Sequence, residues 1–333
     1  ENGGGSVSIS ISITVLVPFA FSYPQTNLIL TRGQSFSLTP SLTRSATISV
    51  VSGSLPSGLT LNSSSGVISG SPSQSISSQS VTIRAVSGTA SQTIVLQFSV
   101  LIPISSFSYP QSSYVIPRDV SFSITPSFNG DQISFSITSG SLPSGLSIDS
   151  SSGIISGIPQ SVTDRSVTIK AFNQVSNRSF AISFSVLTPI SSFSYPQSSI
   201  VIPRGEYYSV SPIIEGTNPS YSITSGSLPS GLSLNSSSGI ISGIPQSTLD
   251  SSVTIKASNQ VSDLSFRIAF TILTPISSFS YPQSLYYLSK DQSFSITPSF
   301  NGDQVSFSII DGSLPQGLSI NPSNGIISGT PIS

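Results

Sequence analysis

Apolar and polar residues alternate along most of the chain with a period of two. Residues 121–125, Ser-Phe-Ser-Ile-Thr, alternate strictly, so Phe122 and Ile124 fall on one face of an extended strand. The same slots hold Phe36 and Leu38, Tyr208 and Val210, and Phe294 and Ile296. Residues 133–138 alternate again after Asn129-Gly130, a tight-turn signal. Residues 141–145, Ser-Leu-Pro-Ser-Gly, read as a turn that uses the fixed φ of proline. Leu146-Ser147-Ile148 and Ile154-Ile155 flank a polar stretch from Asp149 to Gly153 and predict a short hairpin. Residues 167–171 and 180–187 supply two further strands, and no segment carries a helical period.

This pattern recurs. Phe-Ser-Tyr-Pro begins at Phe21, Phe107, Phe193 and Phe279, in steps of 86 residues. A second phrase, Gly-Ser-Leu-Pro-Ser/Gln-Gly-Leu, places its first leucine at Leu55, Leu142, Leu228 and Leu314. A third, Ser-Gly-Xaa-Pro, closes on Pro72, Pro159, Pro245 and Pro331. The period exceeds that of a solenoid repeat and suits a small independent domain. Roughly seven short strands with frequent turns predict an antiparallel β-sandwich of immunoglobulin type. The chain is therefore read as all-β, with tandem immunoglobulin-like modules at 21–106, 107–192 and 193–278, an incomplete fourth at 279–333, and an N-terminal strand and linker at 1–20.

Leu-Pro-Ser-Gly-Leu and Ser-Gly-Xaa-Ile-Ser-Gly-Xaa-Pro, recurring in register, resemble the "putative Ig" family of bacterial and other surface proteins. They are also similar to cadherin-like modules of dystroglycan type. The resemblance covers all four modules. It implies an extracellular sandwich fold and little about chemistry. Calcium-binding cadherins carry clustered carboxylates at their module junctions; the junction here, Thr188-Pro189-Ile190-Ser191-Ser192, has none.

The ends are out of phase with the repeat. Residues 94–103, 180–189 and 266–275 close the first three modules as alternating strands ending in proline. Residues 9–18, Ile-Ser-Ile-Ser-Ile-Thr-Val-Leu-Val-Pro, are the same strand with no module before them. Module 4 stops just past Pro331, where the others have two more strands to come. An open sandwich exposes core and unpaired edge, a template for another chain. A donor strand presenting Val7, Ile9, Ile11, Ile13 and Val15 on one face is expected to fill it. Its acceptor core is expected to be Phe294, Ile296, Phe307, Ile309, Leu318, Ile320 and Ile326. Five such side chains contribute roughly 8–15 kcal/mol gross on burial, offset in part by ordering the strand. Three intervening modules span on the order of 90 Å, whereas an 18-residue extension reaches at most about 60 Å, so donation between molecules is the simpler geometry. A head-to-tail contact that does not close yields a fibre. Module 4 lacks two strands and the N-terminus supplies one.

Composition narrows the chemistry. There is no Cys, His, Met or Trp, which removes disulfides, thiolate metal sites and the commonest general base. A chain opening on Glu1 without Met predicts a leader removed beforehand. The 11 basic and 12 acidic residues offer no basic stripe for nucleic acid, and the apolar run 13–21 is too short to span a bilayer. Serine makes up 88 of 333 residues, yet its alternation with apolar residues argues for strands over disorder. Asp131, Asp303 and Asp149 occupy turn positions. Lys170 and Lys256 alternate outward with no acid evident beside them, against a buried isopeptide crosslink. Of Tyr207-Tyr208 and Tyr286-Tyr287, one of each pair alternates inward, against a sugar platform. Asn62, Asn177 and Asn235 match the N-glycosylation sequon.

Sequence thus leads to a non-enzymatic, secreted or cell-surface structural subunit, without cofactor or metal. Its expected partners are other copies of itself, with glycans as an addition and no nucleic acid or membrane span. In assembly logic it resembles the donor-strand-exchanged helical fibrils of tandem Ig-like protomers known from environmental water. The alternative is a fragment of a surface adhesin stalk or of a ligand-binding Ig-like repeat protein.

Overall fold

The computed structural model describes residues 4, 8–13, 15 and 17–333. The described chain divides into two compact bodies, the first holding residues up to 114 with 119–185, the second residues 115–118 with 186–333. Every regular element among the described residues is a strand.

The first repeat contains β1 (Phe21–Ser22), β2 (Asn27–Thr31), β3 (Phe36–Leu38), β4 (Ser41–Leu42), β5 (Thr47–Ser52), β6 (Leu59–Leu61), β7 (Ile68–Gly70), β8 (Ile76–Ser87) and β9 (Ala90–Leu101). A four-stranded sheet in the order β2-β9-β8-β5 faces a three-stranded sheet, β3-β7-β6, and β1 pairs with β4. The alternation read from sequence is the burial pattern. On β8, Val81, Ile83 and Ala85 are fully buried while Arg84 is exposed, and on β9 Leu96, Phe98 and Val100 point inward with them. Ile48 of β5 joins them on the same face, and Ile68 of β7 closes the core from the other sheet. All ladders of this repeat are antiparallel except one. β2 and β9 run parallel, from Asn27 opposite Gln97 to Thr31 opposite Leu101. A parallel pair needs a long crossover, and here the whole repeat is the crossover.

The same three-sheet pattern returns between Ser106–Ser108 and Asn177–Leu187, and again between Ser192–Ser194 and Asp263–Leu273. The hairpin predicted around 149–153 forms, with Leu146 opposite Gly157 and Ile148 opposite Ile155. The recurring phrases have a common physical basis. In Phe-Ser-Tyr-Pro, the Phe and Tyr rings meet edge to face, at 5.4 Å in the first repeat and 5.7 Å in the second. The tyrosine hydroxyl donates to a glycine carbonyl 43 or 44 residues ahead: Tyr23 to Gly66, Tyr109 to Gly153, Tyr195 to Gly239, Tyr281 to Gly325. That glycine is required. Gly153 has φ +71°, and a Cβ there would lie 2.9 Å from both Phe135 and Pro126. The second and third phrases bind each other, since Ile158 N donates to Gly145 O and a Cβ on Gly157 would strike that same oxygen.

The fourth repeat departs from this pattern. It has five strands: Ser278–Ser280, Phe294–Ile296, Ser299–Asn301, Leu318–Ile320 and Ile327–Gly329. They build the two-stranded pair and the three-stranded sheet only. The four-stranded sheet is absent as a whole. Residues 285–289 and 306–310 are the counterparts of β2 and β5 by the phase of the repeat, yet neither forms a ladder. The reason lies in strand order. β2 and β5 are the outer strands, and each bonds only to a central one, β9 or β8. Without both central strands, the outer two have nothing to pair with.

Candidate assembly site

The two absent central strands leave an apolar opening of about 490 Å³ in the fourth repeat, lined by Ile276, Phe279, Phe300, Phe307, Ile309, Ile310, Ile320 and Ile327 among others. Comparison with the closed repeats measures how far it is open. Phe279 is 55% exposed, whereas Phe107 and Phe193 at the same position are 9% and 8%. Ile276 is 60% exposed against 3% and 5% for Ile104 and Ile190. Phe307 remains buried, because its ring packs against Phe300 at 5.0 Å and Phe279 at 5.5 Å within the part that is present.

Of the acceptor residues expected from sequence, Phe307, Ile309 and Ile320 line this opening. Phe294, Ile296 and Leu318 are half-buried in the three-stranded sheet behind it. Ile326 is half-buried, and its neighbour Ile327 is the one that faces the opening, as Ile155 and Ile241 face the closed cores. Sequence reading missed Ile276, Phe279, Phe300 and Ile310. The signal for Phe279 was available, since the Phe of Phe-Ser-Tyr-Pro is a core residue wherever the repeat is closed. Another signal lies on the counterpart of β2. Leu285, 62% exposed, stands where the other repeats carry Asn27, Ser113 and Ser199.

The aromatic packing shows what a complete repeat places here. In the second repeat Phe184, on the last strand, stacks on Tyr114 at 5.8 Å and meets Phe122 edge-on at 6.0 Å. In the fourth, Tyr286 and Phe294 keep the matching edge contact at 5.5 Å, and no described ring stands in the place of Phe184.

At the other end of the chain, Ile9, Ile11, Ile13 and Val15 are 78–88% exposed and belong to no ladder. Their counterparts on β9, counted from the closing proline, are Ile94, Leu96, Phe98 and Val100, the last three fully buried. Val7, the fifth expected donor residue, lies outside the described residues, as do Thr14 and Leu16. The segment joins the first repeat through Thr43, whose hydroxyl donates to Pro18 O at 3.0 Å and accepts from Ala20 N at 2.9 Å.

A second set of contacts, unseen in the sequence, holds the entry to each later repeat. Ile102 N donates to the Asp131 carboxylate at 3.0 Å, and Asp131 N returns a bond to Ile102 O. Thr188 and Thr217 do the same in the third repeat, and Thr274 and Asp303 in the fourth, at 2.7 Å. The backbone N–H of Thr274 holds the Asp303 carboxyl below the usual carboxylate range. Asp149 is held well below it by the Ser151 and Ser152 hydroxyls and amides of its own turn, the turn that Asn62, Asn235 and Asn321 cap elsewhere. These carboxylates are structural ligands of backbone, and no group of three or more candidate metal ligands exists among the described residues. One reading is corrected: Lys256 does have an acid beside it, Asp263, at 3.4 Å across the hairpin. The pair is solvent-exposed, so it adds little to stability. Tyr207 and Tyr287 are exposed while Tyr208 and Tyr286 turn inward, as the alternation indicated. Asn62, Asn177 and Asn235 are exposed. No helix among the described residues is long and apolar enough to cross a membrane.

Comparison with known proteins places the repeats. A family model described as "Putative Ig domain" matches four times in tandem, at residues 13–103, 98–188, 183–274 and 269–333. The matches overlap by up to six residues, because the strand closing one repeat is also counted as the lead into the next. No protein among the curated ones matches the chain. Solved structures of similar form include an I-band fragment of titin, domains I67–I69, at 16% identity over 78% of this chain and 99% of that one, TM-score 0.45. Domains 3–5 of the extracellular part of Drosophila OTK align at 12% identity over 75% and 95%, TM-score 0.39. Sidekick-1 immunoglobulin domains 1–4 align at 12% identity over 76% of each chain, TM-score 0.38.

Proposed function

The chain belongs to the "Putative Ig domain" family, and from that premise we propose that it is a structural subunit of an extracellular fibre. It polymerises when the N-terminal strand of one copy enters the open fourth repeat of another. The observation that carries this reading is a complementarity within one chain. One end has a core with no closing strand, and the other has a closing strand with no core, its Ile9, Ile11, Ile13 and Val15 almost fully exposed. An exposed apolar edge of this kind recruits a strand, main-chain bonds giving affinity and side-chain alternation giving fit. The exposed, apolar Leu285 adds support, since the closed repeats carry a polar residue there. One strand seats beside 285–289, the counterpart of β2. The opening itself runs along 305–311, where the second central strand stands in a closed repeat, a strand that the N-terminal segment does not supply. Glycans on Asn62, Asn177 and Asn235 would solubilise a surface with few charges.

A chain lacking residues 1–17 tests the reading. It is expected to stay monomeric, to bind a synthetic peptide of residues 6–18, and to form no filaments by electron microscopy, whereas the intact chain forms them. If the truncated chain still assembles, or the intact chain stays monomeric with its fourth repeat stable, the adhesin-stalk reading replaces this one.

A further inference from the structure

The parallel ladder fixes which way round the donated strand goes in. This inference rests on the fibre reading and specifies its joint. In the first repeat β2 pairs with the closing strand β9 in parallel, Asn27 opposite Gln97 through Thr31 opposite Leu101. In the third, Ser199 lies opposite Ala269 through Pro203 opposite Leu273, which is the identical register one hundred and seventy-two residues on. The amide of the next residue then caps the closing strand, Arg32 N to Leu101 O and Arg204 N to Leu273 O. Counted from Phe-Ser-Tyr-Pro, residues 285–289 of the fourth repeat are the counterpart of β2. Counted from its proline, the N-terminal segment is the counterpart of β9.

We propose that the N-terminal strand of a second copy inserts parallel to 285–289, with Ser12 opposite Leu285, Ile13 opposite Tyr286 and Val15 opposite Leu288. The joint between two copies is then built as the joint between two repeats inside one copy. Three observations favour this polarity. Ile13 falls in the place of Phe184, beside Tyr286 and Phe294, where an aromatic or large aliphatic side chain is needed to complete the ring cluster. Ile11 falls where Leu96, Ile182 and Ile268 are fully buried. The donated strand also leaves the acceptor at the end where β9 passes through Ile102 into the second repeat, so the donor's own first repeat follows at once. That passage is one residue shorter, three residues from Pro18 to Phe21 against four from Pro103 to Phe107. An antiparallel insertion would bring the donor's first repeat to the opposite end of the cleft.

The cysteine-free chain allows a direct test. Three single variants are made in the full chain, Val17→Cys, Ser8→Cys and Ser289→Cys. Each N-terminal variant is assembled with the Ser289→Cys chain from a denatured mixture and treated with a short bismaleimide. Parallel insertion places residue 17 beside 289, and residue 8 nine positions, about 30 Å, up the strand. The expected result is a crosslinked dimer for the Val17 pair and at least tenfold less for the Ser8 pair. The reverse pattern, or equal yields, overturns the polarity. Filaments that depend on residues 1–17 but crosslink in neither pair overturn the register while leaving the fibre reading intact. Absence of any assembly by the unmodified chain overturns the fibre reading itself. Ile13→Phe and Ile11→Phe provide a second readout in the donor peptide. The first is expected to bind the truncated chain at least as tightly as the parent, and the second at least fivefold more weakly, because only position 13 falls in an aromatic slot.

Discussion

At the scale of single residues, each repeat is fastened by a tyrosine and a glycine. The hydroxyl of Tyr109 has one protein partner, the Gly153 carbonyl, in a buried site. Tyr109→Phe leaves that carbonyl unpaired and is expected to destabilise the second repeat by about 1–3 kcal/mol, read as a lower denaturant midpoint with unchanged slope. Burial also sets a pH limit. It pushes the Tyr23 hydroxyl up to about 12, and those of Tyr109 and Tyr195 further in the same direction. In the unfolded chain tyrosine ionises near its ordinary value of about 10. Above that pH the unfolded chain loses protons that the folded repeat retains, so stability present below about pH 10 falls as pH rises towards 12. Alkaline titration followed by near-ultraviolet circular dichroism should show unfolding in that window, and a transition complete below pH 9 would contradict it. The tyrosine, the glycine and their near-constant spacing are all visible in the sequence. That they touch is not, because residues 44 apart meet only once two sheets have packed.

At the scale of elements, the fourth repeat shows that a strand is a property of its neighbours. Residues 306–310 alternate as 134–138 do, and Phe307 is buried as Phe135 is, yet only the latter segment sits in a ladder. An outer strand depends on main-chain partners that its own sequence cannot supply. Supplying them should restore it. Appending the segment 162–187 of the second repeat after Ser333 adds both central strands, and is expected to close the fourth repeat. The resulting chain should be monomeric, bind no donor peptide and lose the binding of an apolar dye. Continued assembly with dye binding unchanged would show that the opening is not the missing sheet. The parallel ladder was equally invisible in one dimension. Alternation gives the face of each side chain and is the same for both strand directions, so only the observed pairing of β2 with β9 separated them.

At the scale of the whole molecule, four copies of one pattern are expected to differ in stability according to what each can bury. The first and third repeats each close a continuous apolar cluster, while the fourth leaves Phe279, Ile276 and Ile310 in solvent. Heating the chain that lacks residues 1–17 should therefore give a low-temperature transition from the fourth repeat ahead of the rest. Donor peptide at one hundred times its dissociation constant should raise that transition alone, by about 2.7 kcal/mol. A peptide carrying Ile11→Asp should leave it unmoved, because an unpaired carboxylate would enter a fully buried position. Differential scanning calorimetry reads all three, and a single transition insensitive to peptide would refute the assignment. The sequence by itself determined the repeat, the faces of its strands, the turns that join them and the mismatch between its two ends. Those follow from side-chain periodicity and from residues with restricted backbone angles, both local quantities. Tertiary structure alone decided which strands are central and which are outer, that the closing ladder is parallel, that Asp131 and Asp303 latch the second and fourth repeats to the strand before them, and that the outer strands of a sheet of four form no ladder without the central two. Those depend on which distant segments come to lie side by side, and hydrogen bonds across a sheet are made between partners that no local pattern names.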